Sequence, residues 1–103
     1  MMYLNDIAKQ ALILAQNRKL DTNVLPTLKH CAGEVLEATE AYTVLNRTNA
    51  PIYKEDVGLE LADIIICALT ASAKLELDIE EYIGKAMQKN AQRAYQEISD
   101  ETA

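Results

Sequence analysis

Apolar residues recur three and four positions apart along most of the chain, which is the spacing of one side of an α-helix. The first helix is expected to begin at about Met2 and to end at about Arg18. Three more segments with helical periodicity follow, and short polar stretches separate them. The first, third and fourth predicted helices cover approximately residues 2–18, 53–75 and 78–98. The second begins between residues 22 and 26 and ends at about residue 47.

The predicted connections carry residues that stop or start helices. Asp21 to Asn23 favour turns and caps. Pro51 disfavours helical backbone at the residue before it, so helix 2 should end shortly before that proline. Asp78 and Glu81 have the spacing of an N-cap and capping box, which predicts the start of helix 4. Residues 99–103 are expected to lie beyond its ordered part.

Helices 2 and 3 differ in the apolar surface that they offer. Helix 3 is apolar on most of its circumference after Leu59, as expected for a helix buried among others. Helix 2 carries a separate polar ridge at three-to-four spacing, so its carboxylates need not face the core. Its predicted packing surface consists of Leu28, Cys31, Ala32, Val35, Tyr42 and Leu45, and its other ridge of His30, Glu34, Glu37 and Ala41.

Composition and charge narrow the class of protein. The chain has 103 residues and is 50% hydrophobic, which predicts one domain, 1–103, of all-α, four-helix bundle-like fold. Its net charge of −6 argues against nucleic acid as a partner. The longest apolar run, 64–73, is too short for a membrane span, and nothing resembles a signal peptide. Cys31 and Cys67 fit free thiols in a reducing, cytoplasmic environment.

Two pairs of carboxylates stand out on consecutive predicted helices. Glu34 and Glu37 form one pair, and Glu60 and Asp63 form the other. Residues three apart project to nearly the same side of a helix, so the charges within each pair repel unless a cation lies between them. If the two helices face each other, the four carboxylates offer the oxygen ligands that Mg²⁺ or Mn²⁺ prefers. A solvated acidic face is the alternative interpretation.

Other common types of site lack the residues that they need. A di-iron bundle uses Glu-x-x-His ligands, and the single histidine, His30, does not follow a glutamate by three residues. We expect His30 to make a packing or polar contact rather than to bind metal. There is no P-loop motif and no Ser/His/Asp or Cys/His set. Metal-assisted attack by water is the chemistry that remains.

Helix 4 carries a basic stripe. Lys85, Lys89 and Arg93 recur every four residues, and Asn90 stands beside Lys89. The stripe fits a solvated helix face. Beside a metal site, the same residues could bind phosphate oxygens, with the guanidinium group offering two parallel hydrogen bonds.

These segments together resemble the all-α nucleoside triphosphate pyrophosphohydrolases of the MazG type, over roughly residues 25–95. Residues 33–41, Gly-Glu-Val-Leu-Glu-Ala-Thr-Glu-Ala, look like the family's Glu-x-x-Glu helix, and residues 60–66, Glu-Leu-Ala-Asp-Ile-Ile-Ile, like its Glu-x-x-Asp helix. Residues 87–95 look like its Asn-x-x-Arg segment. The chain departs from the family at Ala86, where many members have lysine, and it lacks the proline after the arginine and the basic tail.

The resemblance implies hydrolysis of a nucleoside triphosphate between the α and β phosphates, in a homodimer or homotetramer of MazG-type fold. It assigns Mg²⁺ binding to Glu34, Glu37, Glu60 and Asp63. It gives Glu40 the role of orienting or deprotonating the attacking water, and a surface residue without such a role is the alternative for Glu40. It assigns phosphate contacts to Lys85, Lys89, Asn90 and Arg93. The alternative is a catalytically inactive helical interaction or nucleotide-sensing module that has kept the fold.

Overall fold

The chain folds into four consecutive α-helices joined by short connections. The computed structural model describes residues 3–102, and it contains no strand within that range. The helices are α1 (Leu4–Asn17), α2 (Val24–Thr48), α3 (Tyr53–Lys74) and α4 (Ile79–Thr102). The prediction of an all-α chain of four helices is therefore confirmed. Met2, the predicted start of the first helix, lies outside the described residues.

The helices end as local sequence dictates, with one exception. The backbone turns through the left-handed region at Lys19, Asn49 and Glu76, just after α1, α2 and α3. Asn49 tolerates this conformation well, and its N–H bonds to the Leu45 carbonyl at 2.7 Å. The predicted end of helix 4 near Ile98 is wrong, because α4 continues to Thr102. No proline or glycine follows Ile98 to stop it.

The start of α4 is fixed by two polar side chains. The Glu81 N–H donates to Asp78 Oδ1 at 3.2 Å, as the predicted cap requires. Asn5 on α1 adds a second cap, since its Oδ1 accepts from the Ile79 N–H at 3.0 Å and its Nδ2 donates to Asp78 at 2.8 Å. A capping box would direct the Glu81 carboxylate back to the Asp78 N–H, but this carboxylate binds the Lys85 ammonium group at 3.2 Å. This junction joins the beginning of α4 to α1.

The core of the single chain is small and lies around α3, which packs against α2 and α1. Small residues dominate it, and within residues 3–102 no large side chain is completely buried. Small side chains let helix backbones approach closely, but they bury little apolar area. The buried residues are Ala8, Ala11, Thr27, Ala38, Cys67, Leu69, Thr70, Ala71 and Ser72.

The predicted packing surface of helix 2 is wrong for four of its six residues, one of which is the exposed Ala32. Leu28, Val35 and Tyr42 are each more than half exposed. The face of α2 that meets α3 instead contains Thr27 and Ala38, which are both buried. The reason is that α3 covers only one side of α2 within this chain. Helix α3 is also less covered than predicted, since Leu59, Leu61 and Ile65 are exposed too.

Much apolar surface therefore remains uncovered. The chain exposes 8023 Å², whereas a monomeric protein of this mass exposes about 5,800 Å². Its radius of gyration is 17.1 Å, against about 13 Å for a compact domain of this length. Most of α4 extends beyond the other helices, because it packs substantially against α1 only. No helix in the described part of the chain is long and apolar enough to cross a membrane.

Candidate functional site

Three of the four predicted metal ligands meet where α2 faces α3. Glu34, Glu37 and Glu60, here called the carboxylate cluster, each place one oxygen within 4.8 Å of the others. Glu34 lies on the same face of α2 as the buried Thr27 and Ala38, seven residues after one and four before the other. The periodicity of α2 therefore directs this carboxylate toward α3.

Two oxygens of the cluster lack the partners that buried polar atoms normally have. Glu34 Oε2 and Glu60 Oε2 are buried, and neither accepts a hydrogen bond from any described residue. A buried oxygen without a donor is costly, so such atoms usually bind a proton, a water molecule or a cation. Carboxylate oxygens are the ligands that hard divalent ions prefer. The donor set and its unsatisfied oxygens thus fit Mg²⁺ or Mn²⁺.

The electrostatics of the cluster favour proton or cation uptake. Burial raises the pKa of Glu34, and the neighbouring charge of Glu37 raises it further. Burial and Glu37 likewise raise the pKa of Glu60. Glu37 is in hydrogen-bonding contact with both of these carboxyl groups. Without a cation, Glu34 and Glu60 therefore hold protons to a higher pH than an ordinary glutamate, which reduces the repulsion in the cluster.

His30 lies at the edge of the cluster and not within it. Its Nε2 is 2.9 Å from Glu34 Oε1, and the imidazole is largely exposed. The charged form of His30 acts against the other influences and lowers the pKa of Glu34. The structure thus gives His30 the polar contact predicted for it.

Asp63, the fourth predicted ligand, lies beside the cluster. Its charge contributes to the raised pKa of both Glu34 and Glu60. It is exposed, however, and its oxygens are not part of the group that meets within 4.8 Å. The structure therefore brings together three predicted ligands and leaves the fourth adjacent.

Glu40 and the basic residues of α4 are not in contact with the cluster. Glu40 is exposed and forms no hydrogen bond or ion pair within the described residues. Lys85 pairs with Glu81, and its Nζ lies 5.3 Å from the centre of the Tyr82 ring.

The other three predicted phosphate ligands are exposed and unpaired in the described part of the chain. They are Lys89, Asn90 and Arg93. Because α4 packs substantially against α1 alone, nothing joins these residues to the carboxylates of α2 and α3 in the same chain.

A cavity of about 740 Å³ opens beside the cluster, between α1, the connection that follows it, α2 and α3. Leu14, Ile66 and other apolar side chains form much of its wall. Glu34 and Asp63 also line it, so the cavity adjoins the carboxylate cluster. Further polar groups come from Arg18, Asp21, Thr22 and His30. A cavity of this size accommodates a small organic molecule.

Sequence reasoning did not identify three polar residues of this cavity, Arg18, Asp21 and Thr22. Arg18 and Asp21 belong to the end of α1 and the turn after it, where helical periodicity no longer indicates which side chains point inward. The only available signal was their position beside a predicted helix end.

Two thiols lie next to the cluster. Cys67 Sγ donates to the Thr27 carbonyl across the α2–α3 contact at 3.2 Å. Cys31, one turn after Thr27, is in hydrogen-bonding contact with Cys67. Burial, followed by this contact, raises the pKa of Cys67 to about 12. Both cysteines are free, as predicted.

Comparison of the chain with known protein families, with curated proteins and with solved structures finds no match.

Proposed function

We propose that this protein is a metal-dependent nucleoside triphosphate pyrophosphohydrolase of the MazG type. The reaction is attack of water on a phosphorus atom, with cleavage between the α and β phosphates to give the monophosphate and pyrophosphate. The observation that supports it best is the convergence of three carboxylates with two buried oxygens that have no donor. The resemblance of residues 33–41, 60–66 and 87–95 to the family motifs supplies the reaction type.

The proposed roles follow from position. Glu34, Glu37 and Glu60 would hold Mg²⁺ or Mn²⁺, and Asp63 is placed to complete the ligand set from the cavity side. When bound, the cation would supply charge neutralisation for the phosphates and make water more acidic. His30 fixes the orientation of Glu34 through its 2.9 Å contact.

Glu40 is the proposed general base. It lies one turn beyond Glu37 on α2 and is free to accept a proton from the attacking water.

The cavity provides a place for the nucleoside. Its apolar walls suit a base and sugar, and a cation held at the cluster beside Glu34 and Asp63 would attract the phosphates. Arg18, Asp21 and Thr22 supply further hydrogen-bonding groups in the lining. This arrangement supports a single bound nucleotide as substrate, in a protein whose negative charge disfavours nucleic acid.

We further propose that the active form is a homodimer or homotetramer. The chain exposes roughly 2,000 Å² more than a monomer of its mass, which is of the order buried in obligate homodimers. The apolar face of α4, defined as Ile79, Ile83, Met87, Ala91 and Ala94, follows helical spacing and has no covering helix in the described part of the chain beyond the junction with α1.

A second copy also accounts for the distant basic residues. Asn90, seven residues after Ile83, falls on this apolar face, whereas Lys85, Lys89 and Arg93 lie on another side of α4. A helix that docks through its apolar face would keep them available, so α4 of one copy could present them to phosphates held at the cluster of another. The free thiols Cys31 and Cys67 agree with a cytoplasmic location.

The test is pyrophosphate release from a panel of ribo- and deoxyribonucleoside triphosphates, with Mg²⁺, with Mn²⁺ and with chelator. We expect release from some members and none with chelator. Glu60→Gln should abolish release, whereas Glu55→Gln, which removes the same charge from an exposed position of α3, should not. No release from any member by the folded protein would contradict the proposal and favour the interaction or nucleotide-sensing module.

A further inference from the structure

The cysteine pair between α2 and α3 has no role in the proposed reaction, although it lies next to the carboxylate cluster. Cys31 precedes Glu34 by three residues on α2, and Cys67 follows Asp63 by four on α3. The two thiols are in hydrogen-bonding contact, and both are free. The bond from Cys67 Sγ to the Thr27 carbonyl, at 3.2 Å, independently places Cys67 one turn from Cys31 across the helix contact.

We propose that Cys31 and Cys67 are a redox modification site, at which a hydroperoxide forms a reversible disulfide that locks α2 to α3. The proposal does not depend on the pyrophosphohydrolase assignment. It uses two thiols on facing helices, with the Cys67 sulfur bonded to the carbonyl of Thr27, one turn before Cys31. Formation of the bond therefore requires a small rotation of the side chains rather than a rearrangement of the fold.

The two cysteines differ in access, and this difference sets the order of the steps. Cys31 is half-buried, so its sulfur can meet a small oxidant, whereas Cys67 is only 7% exposed. The Cys31 thiolate attacks one oxygen of hydrogen peroxide, the O–O bond breaks, and a sulfenic acid and hydroxide form; the hydroxide takes up the thiol proton as water. The Cys67 sulfur then attacks the Cys31 sulfur, the S–OH bond breaks, and the Cys67 proton leaves with the hydroxide as a second water.

The balance is two thiols and one hydrogen peroxide giving one disulfide and two water molecules. Both sulfurs are oxidised and the peroxide oxygens are reduced. A thiol or phosphine reductant reverses the step. The cross-link closes a segment of the chain that contains most of α2, the connection and most of α3, so it should restrict the unfolded chain and raise the thermal unfolding midpoint.

The experiment uses the full chain, reduced with a phosphine and then treated with hydrogen peroxide. After denaturation and alkylation of remaining thiols, we expect the chain to have lost two hydrogens and to take up no alkylating group. Trypsin should release peptides 30–47 and 55–74 joined to each other. The midpoint should rise by about 10 °C relative to the reduced protein and return on reduction.

Two variants separate this pair from unrelated oxidation. Cys31→Ser should give no disulfide and leave Cys67 available for alkylation after denaturation, because the buried thiol meets no oxidant. Cys67→Ala should stop at the sulfenic acid of Cys31, which dimedone traps. Cys31 oxidised while Cys67 still alkylates, or a Cys31 disulfide between two chains, would overturn the proposal. If the disulfide forms but the thermal unfolding midpoint is unchanged or lower, the claim that the disulfide fixes α2 to α3 is wrong.

Discussion

His30 Nε2 lies 2.9 Å from Glu34 Oε1, one turn apart on α2, so one oxygen of this carboxylate is held from outside while the other is buried without a donor among the described residues. The imidazole is exposed and Glu34 is not, which means that the contact fixes the carboxylate rather than the histidine. Groups that hold a metal ligand from behind commonly determine its orientation and its affinity for the ion.

The first prediction concerns this contact. His30→Ala should weaken Mg²⁺ binding about tenfold, because Glu34 loses the donor that orients it. His30→Gln should retain most of the affinity, since its amide can still donate to the residue one turn later. Titration calorimetry with Mg²⁺ measures both. Lys29→Ala, which removes a neighbouring exposed cation, is the control. If His30→Ala bound Mg²⁺ as tightly as the wild type, the contact would be an ordinary surface pair without a role in metal binding.

The second prediction separates the cluster from its neighbour. Glu60→Gln should lower Mg²⁺ affinity by about two orders of magnitude and abolish turnover, because one of three converging ligands is lost. Asp63→Asn should also abolish turnover, but it should lower the affinity for Mg²⁺ less than Glu60→Gln does, since Asp63 lies beside the converging oxygens. Without metal, neither variant should be less stable than the wild type, because repulsion is relieved.

The measurement for this pair combines Mg²⁺ titration with thermal unfolding in chelator. Glu55→Gln is the matched control, an exposed glutamate of the same helix. A Glu60→Gln protein that retained Mg²⁺-dependent turnover would contradict the assignment of the cluster. A larger affinity loss in Asp63→Asn than in Glu60→Gln would show that the ion binds nearer the cavity.

The third prediction is the pH dependence of stability without metal. The pKa values of Glu34 and Glu60 are raised above the ordinary 4.5, so the folded protein binds protons more tightly than the unfolded chain. The stabilisation that comes from this proton binding is complete below the ordinary pKa and is lost as the pH rises through the raised pKa values of the folded protein. The thermal midpoint in chelator should therefore fall from about pH 5 to pH 8, less steeply in Glu60→Gln.

Asp78 acts in a different pH window and does not disturb this measurement. Its hydrogen bond from Asn5, then that from the Glu81 N–H, lowers its pKa below the ordinary 3.8. The stabilisation that Asp78 contributes is present above its ordinary pKa and is lost as the pH falls through its lowered pKa in the folded protein. Mg²⁺ should flatten the slope at higher pH, because it replaces the protons of the cluster. A midpoint that rose with pH in chelator would contradict the crowding of these carboxylates.

The sequence was sufficient for most helix boundaries and for placing Glu34 and Glu37 on one side of α2, because both depend on short-range spacing. Pro51 and the Asp78 cap mark boundaries locally, and Glu34 and Glu37 share a helix side by geometry alone. The face of α2 that meets α3 could not be chosen in this way. Leu28, Val35 and Tyr42 form a stripe more apolar than the one that is buried, and apolar spacing does not reveal whether the same chain or another molecule covers it.

Two further features depended on the arrangement of the helices in space. The cavity takes Arg18 and Asp21 from a helix end, where no periodicity operates. The separation of the α4 cations from the cluster depends on α4 leaving the other helices after its junction at Asn5 and Asp78. A linear pattern gives no distance between helices.

The fourth prediction concerns the apolar face of α4. Met87→Glu should shift the protein toward the monomer, because it places a charge on a face that would be buried between copies; Met87 is 67% exposed in the single chain. Gln88→Glu adds the same charge on another side of the helix and should leave the assembly intact. Light scattering after size-exclusion chromatography gives the molar mass. A wild-type monomer, or a Met87→Glu protein of unchanged molar mass, would contradict this interface.

The fifth prediction is that the cluster and the cations of one site come from different chains. Glu60→Gln and Arg93→Ala should each be inactive alone. If the site is shared in a dimer, mixing and subunit exchange should restore about a quarter of wild-type activity, since half of the dimers are mixed and one of their two sites is intact. If each chain builds its own site, every site carries a substitution and no activity returns.

Mass spectrometry must show that subunit exchange occurred. The matched control is Glu60→Gln mixed with Glu37→Gln. Both of these substitutions affect the same cluster, so no intact site can form in either arrangement. Recovery only in the first mixture would establish that α4 acts across the interface.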